Sequence, residues 1–459
     1  MAHLLYYSAS ILVVLIVLFV IRNKIKKTLP PLHDNQDTLE MFRRSKQSHE
    51  LALLFIKLVD MDGAGNWPPR VDHENWPAPL RPYKDIYLQL IPFLAVDVKL
   101  AYNDEANIER RRDYRASMRK LLAERVDLSE VKRVLALPEA NQWTDMSREA
   151  YNGFYCCLAV CRHAYRWAMI PVVKVAQLET TVDFPPELDL PWPNLQRMFG
   201  VEADSGNNTA NVLHNFDNNG DRVYKINVSL AQPIRDAEDV FFKLFYDIED
   251  MAVPIYWSMI SAVMAFESGD KRSCLRHVRN VSTHLRTLLS VFYDNLHEQR
   301  ISVSVWLSYI QGFQGWGVGH YIDTKLVKYD GLSGNHVLFF QALDAFLGIG
   351  QYLTDENMSR YIPYNQRELC YGLRRHSIRN KLKTGERLDD QIDQEMSEII
   401  KKIRVFRSAH RFRVMPYLEQ PAPERLPMTA GKSVLKGDTI KEALKTLDDM
   451  MVTRIAETV

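Results

Sequence analysis

Residues 399–410 read Ile399-Ile400-Lys401-Lys402-Ile403-Arg404-Val405-Phe406-Arg407-Ser408-Ala409-His410. Ile399, Ile403, Phe406 and His410 stand at i, i+4, i+7 and i+11, so they share one side of a helix while Arg404, Arg407 and Arg411 point elsewhere. A single imidazole on an apolar helical face has two readings. The commoner is a core histidine held by a hydrogen bond, and the other is a metal ligand.

Working outward, the same periodicity predicts helices over residues 38–60, 103–125, 148–175, 237–267, 271–296, 303–311, 336–354, 391–415 and 439–457. The charged stretch 103–125 reads as a solvated face. Between residues 181 and 232 the pattern breaks at Pro185-Pro186, Pro191-Trp192-Pro193 and Asp217-Asn218-Asn219-Gly220-Asp221, with a strand-like run over 223–230. A domain join belongs here. The expectation is an all-α, two-domain body: a smaller helical domain with loops over 28–205 and a larger all-helical domain over 206–459.

The 58 Lys and Arg nearly cancel the 57 Asp and Glu, so no electrostatic case exists for nucleic acid. Cys156, Cys157, Cys161, Cys274 and Cys370 are odd in number and unevenly spaced, which fits neither a disulfide framework nor a zinc site. A reducing compartment is expected. Gly431-Lys432-Ser433 lacks the first glycine of a phosphate loop, where Leu426 stands.

The N-terminus is a separate element. Residues 4–21 are apolar apart from Tyr6, Tyr7, Ser8 and Ser10, and as a helix they span roughly 27 Å. Arg22, Lys24, Lys26 and Lys27 follow at once. A cleaved signal carries its charge before the apolar run and ends in small residues, and neither feature is present. Residues 1–27 are therefore expected to form a single-pass anchor, as in the endoplasmic reticulum membrane, with the body in the cytosol. Pro30-Pro31 makes a stiff spacer. The sequons at Asn207, Asn227, Asn280 and Asn357 would then stay unglycosylated.

Phe406-Arg407-Ser408-Ala409-His410 resembles the segment of indoleamine 2,3-dioxygenases that carries the proximal heme-ligating histidine. The resemblance runs from about Arg148 onward and is clearer after Phe241. Tyr329-Asp330-Gly331-Leu332-Ser333-Gly334-Asn335 resembles the family's glycine-serine segment beside the heme. Phe340-Gln341-Ala342-Leu343-Asp344-Ala345-Phe346-Leu347-Gly348-Ile349 is similar to its helix with one aspartate, and Met358-Ser359-Arg360-Tyr361-Ile362-Pro363 resembles its Met-Arg-x-Tyr-Met-Pro segment. The resemblance implies heme b bound through His410, with Arg407, Ser333 and Gly334 close to it, and O2 as co-substrate. It also implies a pocket lined by Phe241, Phe242, Phe245, Leu307 and Gly331, with Glu249 further along the same helix as the Phe pair.

Asp344 lies in a run, 337–346, that is otherwise apolar except for Gln341. An unpaired carboxylate there is costly, so a cationic partner is required. The resemblance supplies Arg407, although a heme propionate is an alternative partner for that guanidinium. Such a pair would be a structural bond fixing the proximal helix.

Four departures bear on substrate. Phe245 replaces a serine of the family, and Leu307, in Val305-Trp306-Leu307-Ser308-Tyr309-Ile310-Gln311-Gly312-Phe313, stands where the family has the arginine that holds the amino-acid carboxylate. Ser302 and Val303 replace a second Phe pair, and the closing loop is bulkier, reading Ser433-Val434-Leu435-Lys436-Gly437-Asp438. Leucine does not reproduce a bidentate guanidinium–carboxylate contact. Free tryptophan is thus a poor candidate unless Arg235, Lys243 or Lys436 supplies the charge. The expected activity is a heme-dependent oxygenase, dioxygenase-like and monomeric, acting on a small apolar aromatic such as an indole or tryptophan-derived compound. The alternatives are a heme hydroxylase inserting one oxygen, a heme-binding sensor or carrier without turnover, and a helical scaffold without heme.

The anchor is testable directly. The intact chain is expected to pellet with microsomes and resist alkaline carbonate extraction, and deletion of residues 1–27 should release a folded, soluble body. Glycans on any of the four sequons would reverse the expected topology.

Overall fold

Helices form where apolar spacing calls for them. The computed structural model describes residues 35–317, 319–328, 331, 334–419, 422–428 and 440–459. The expected anchor and spacer lie outside these. Among the described residues no helix is long and apolar enough to cross a membrane.

In chain order the first elements are α1 (Asn35–Ser45), α2 (Glu50–Lys57, extended by a π turn, Leu58–Asp62), α3 (Arg81–Leu90), α4 (Asp104–Arg125), α5 (Leu128–Glu139), α6 (Arg148–Trp167) and α7 (Trp192–Phe199). Side-chain caps start several of them: Asn103 accepts from Ala106 N, Asp127 from Ser129 and Glu130 N, and Ser147 from Ala150 N. Helix α6 is buried on every side from Ala150 to Trp167 and forms the centre of one hydrophobic core. Helix α4 is not the purely solvated element its charge predicts. Arg111 and Arg115 close on Glu179 at 2.8 and 2.7 Å, and Arg166 joins them at 2.8 Å. The first two also donate to the carbonyls of Trp167 and Tyr165, capping the end of α6.

The second set comprises α8 (Gln232–Glu267), α9 (Lys271–Asn295), a π turn at Trp306–Ile310, the antiparallel hairpin β1 (Gly319–Ile322) and β2 (Lys325–Lys328), α10 (Leu338–Leu347), α11 (Asp355–Tyr361), α12 (Tyr364–Arg375), α13 (Arg387–Glu419) and α14 (Ile440–Glu457). Helices α8 and α9 pack as a long hairpin, α13 lies across α9, and α14 lies on α13. Among the described residues the all-α expectation holds apart from this short hairpin, which the sequence reading did not anticipate. Nor does 223–230 form a strand. Its backbone N–H groups at Ile226 and Asn227 donate instead to the buried Glu238 carboxylate, both at 2.9 Å.

Helices α1 and α2 fall in the 28–205 span read as the smaller domain, yet they pack in the larger core. Leu39, Phe42, Leu51 and Phe55 are fully buried there, with Phe42 stacked on Phe55 at 4.2 Å and Phe55 facing Tyr256 at 5.3 Å. Asn207 and Asn227 are also fully buried, so the folded body has no room for a glycan at either. All five cysteines are buried and unpaired.

One polar cluster fastens α2 to the ends of α8 and α12. His376 Nδ1 meets Glu267 at 2.9 Å and its Nε2 meets Glu50 at 2.8 Å, while His49 Nε2 meets Glu267 at 3.0 Å. Arg375 and Lys381 stand beside them. Ligand atoms of His49, Glu267 and His376 lie within 4.8 Å of one another, as in a metal site. However, His49 Nδ1 accepts the Leu51 N–H at 3.1 Å, so its proton sits on Nε2 and is committed to Glu267. The cluster is therefore an ionic latch.

Burial opposes the charge on His376, but the hydrogen bonds to Glu50 and Glu267 outweigh it and raise its pKa. The same bonds outweigh burial at Glu267 and hold its carboxyl down at about 2. A raised histidine pKa stabilises fully below the unfolded value of about 6.5 and is lost as pH rises through the folded value. A depressed carboxyl stabilises above about 4.5 and is lost on acidification. The wild-type advantage over H376Q, worth about 1 kcal/mol, should thus be greatest near pH 5–6 and shrink towards pH 9. Calorimetric melting at several pH values checks this, and a pH-independent gap would refute it.

Candidate heme site

The long helix α13 turns one apolar face inward. Ile392, Met396, Ile399, Ile403 and Phe406 are buried along it, and His410 continues that face. The His410 ring packs 5.3 Å from the Phe292 ring on α9 and 6.3 Å from Phe406. Burial alone pushes its pKa down to about 4, so the imidazole is neutral at pH 7. Among the described residues no hydrogen-bond partner meets either ring nitrogen. The ring lies deep in the protein yet is not sealed, since a water-sized space still reaches it. Lack of a partner is not unique to it, since His214 is fully buried with neither ring nitrogen bonded; His410 differs in keeping exposed surface on the α13 face. A neutral imidazole with an uncommitted lone pair and some exposed surface has what a ligand to heme iron requires, so His410 fits a heme.

Three residues before it, Arg407 donates to both oxygens of Asp344, at 2.8 and 2.6 Å. The cationic partner that Asp344 requires is therefore present. Asp344 has a second partner that sequence reasoning missed, Arg454 on α14. The Arg407 guanidinium also donates to Thr458 Oγ1 at 2.5 Å. Its polar contacts are thus made to protein.

An aromatic cluster, the candidate distal wall, rises from α8. Phe241 meets Phe245 edge to face at 5.4 Å and lies 6.3 Å from Trp306, which packs on Tyr417 at 5.5 Å. Phe241, Phe245 and Trp306 all retain exposed surface in this otherwise closed core. Phe242 also meets Phe241 edge to face at 5.3 Å, but it is buried, with the Arg222 guanidinium 4.2 Å over its ring. Leu307 is buried in the π turn, and Ser302 caps the short helix before it. Gly334 lies against Phe245, and a Cβ there would stand 3.6 Å from the ring. At Gly331 a Cβ would fall 2.4 Å from the Trp316 carbonyl carbon, so only glycine fits. Ser333 and the loop 433–438 with Lys436 lie outside the described residues.

Glu249 is fully buried further along α8 and accepts from Trp67 Nε1 at 3.0 Å, Tyr256 Oη at 2.9 Å and Phe339 N at 2.9 Å. Burial pushes its carboxyl up. It is the N-terminal anchor of α10 rather than a pocket group. Of the other cations named as substitutes for the missing arginine, Lys243 pairs with Asp247 at 2.5 Å on the surface and Arg235 meets Gln232 at 2.6 Å. Arg425 and Glu424, which no pattern flagged, dock on the π turn through Gln311 and Ser308.

The family model for indoleamine 2,3-dioxygenase matches residues 116–449. The chain belongs to the indoleamine 2,3-dioxygenase family. No curated protein matches it. The matched span holds His410, Asp344, Arg407 and the whole distal wall, while α1, α2, α3 and Arg454 lie outside it. Indoleamine 2,3-dioxygenases are heme-dependent oxidoreductases of tryptophan metabolism that use O2, and that coarse chemistry comes with membership.

Asp344→Ala would leave two buried guanidiniums facing each other. It should destabilise the protein by about 3–5 kcal/mol, measured by urea unfolding. In the Asp344–Arg407 double-mutant cycle the single losses should not add, whereas full additivity would show that the two residues do not interact.

Proposed function

We propose that this family member is an oxygenase in which His410 is the axial heme ligand and the distal cleft receives an apolar aromatic substrate, an indole or tryptophan derivative without a free carboxylate. The observation that carries the reading is the neutral, unpartnered and partly exposed imidazole of His410, inside the span that the family model matches and on a helix fixed by Arg407. When bound, heme supplies dioxygen activation and oxygen insertion into an electron-rich ring. The chain provides recognition and placement. Phe241, Phe245 and Trp306, their rings set edge to face, offer apolar edges and faces to an aromatic ring. Leu307 presents hydrocarbon where a charged clamp would stand, so a carboxylate placed there would lose its hydration with nothing in return.

Ring-opening dioxygenation is the reaction in keeping with the family, and single-oxygen insertion is its nearest neighbour. An anchor over residues 1–27 would bring the body to membrane-dissolved substrates. A gas sensor without turnover is the second reading. It is favoured by Phe245, whose ring closes on Gly334 where a smaller side chain would leave room.

The test begins with His410→Ala, which should lose most heme while keeping its helical circular dichroism, since Ile399, Ile403 and Phe406 still hold the helix. Added imidazole should restore the Soret band. A variant that keeps stoichiometric heme with an unaltered spectrum would overturn the assignment. Leu307→Arg is the companion: cleavage of free tryptophan should rise at least about tenfold if the carboxylate clamp is what is missing. Product analysis with indole analogues under reducing conditions separates the oxygenase from the sensor.

A further inference from the structure

The helix that carries His410 is gripped on both sides of it, and each grip involves the α14 segment. Before the histidine, Arg407 donates to Asp344 at 2.8 and 2.6 Å and to Thr458 Oγ1 at 2.5 Å. Immediately after it, Arg411 donates through Nε and Nη2 to the two oxygens of Asp448, at 2.5 and 2.7 Å. Arg454 closes the first grip by donating to Asp344, and its other terminal nitrogen reaches Gly350 O at 2.9 Å. Thr458 in turn donates to Arg454 O at 2.7 Å. The first grip bridges both Asp344 oxygens through Nη2 of Arg407 and the second is a bidentate fork, and, set four residues apart, the two fix both the rotation and the axial register of the segment between them.

The first grip also carries a charge imbalance. One carboxylate faces two guanidiniums, and the side chains of Asp344, Arg407 and Arg454 are only 5%, 14% and 9% exposed. Glu457 stands 3.3 Å from Arg454, but it is half exposed and its charge is largely screened. A positive surplus therefore remains buried beside α13, one helical turn before His410.

We infer that α14 is the positioning element of the proximal histidine, with Arg454 and Asp448 as its two working contacts. Arg454 also biases a group bound at His410 towards its electron-rich state, because reduction adds negative charge beside a buried positive one. Both statements rest on the reading of His410 as the axial ligand. A purely structural ion pair would affect melting only, whereas a positioning role must also reach the bound group.

The experiment uses the heme-loaded, full-length protein and the variants R454Q, R454K, D448N and H410A. Heme release to apomyoglobin and the ferric/ferrous midpoint potential are read together, with thermal melts as the folding control. R454Q should speed heme release about tenfold and lower the midpoint potential. R454K should share the faster release but keep the potential, because it retains the charge and loses the fork. D448N should speed release with little change in potential. If R454Q does not fold, R454K and D448N still test the positioning claim. Wild-type release and potential in these variants, with heme lost from H410A, would overturn the inference while sparing the ligand. Faster release with an unmoved potential in R454Q would overturn the electrostatic half. Heme retained by H410A would overturn the ligand reading and this inference with it.

Discussion

A carboxylate inside an apolar core must be met by donors at both oxygens, and Asp344 is the residue on which that demand falls hardest. It draws Arg407 from α13 and Arg454 from α14 onto one short helix. Glu249 does the same at the opposite end of that helix, receiving Trp67, Tyr256 and the Phe339 amide. Helix α10 is therefore held from both ends by buried charge, between the distal wall on α8 and the proximal face of α13. Removing either partner leaves an uncompensated charge, which is a much larger loss than any single apolar contact nearby.

The two sides of the site differ in kind. On the proximal side polar contacts dominate and fix geometry. On the distal side Phe241, Phe245, Trp306 and Leu307 supply shape and dryness without charge. On the proposed reading, a pocket of that composition would discriminate by fit and desolvation rather than by ion pairing, and would separate neutral aromatics from amphoteric amino acids more sharply than neutral aromatics from one another.

Much of this was legible in the sequence. The 3.6-residue spacing located the helices, the isolation of Asp344 demanded a cation, and His410 stood out on its face. What escaped depends on contacts distant in the chain. Arg454 lies 110 residues from Asp344, and nothing local distinguishes it from any other arginine on an exposed-looking helix. The arginines of α4 read as solvated because their partner, Glu179, belongs to a separate loop. Residues 223–230 alternate like a strand, yet the Glu238 carboxylate takes the amide bonds a neighbouring strand would have taken. Phe242, which the family resemblance paired with Phe241, does meet that ring, but the Arg222 guanidinium over it comes from a distant loop and could not be read from the sequence. Helices α1 and α2 join the larger core because Tyr256 and Trp257 offer them a surface, which a linear reading cannot show.

The buried cysteines matter for durability. Burial raises the Cys156 and Cys161 thiols far above their ordinary range and pushes Cys274 and Cys370 up to about 12. Peroxide and superoxide attack the thiolate, and these side chains hold their protons and admit no solvent. A fold whose family handles dioxygen thus keeps these four thiols chemically silent, so that leaked oxidant would be taken up first by exposed groups such as Met61 and Met450, leaving the core packing intact.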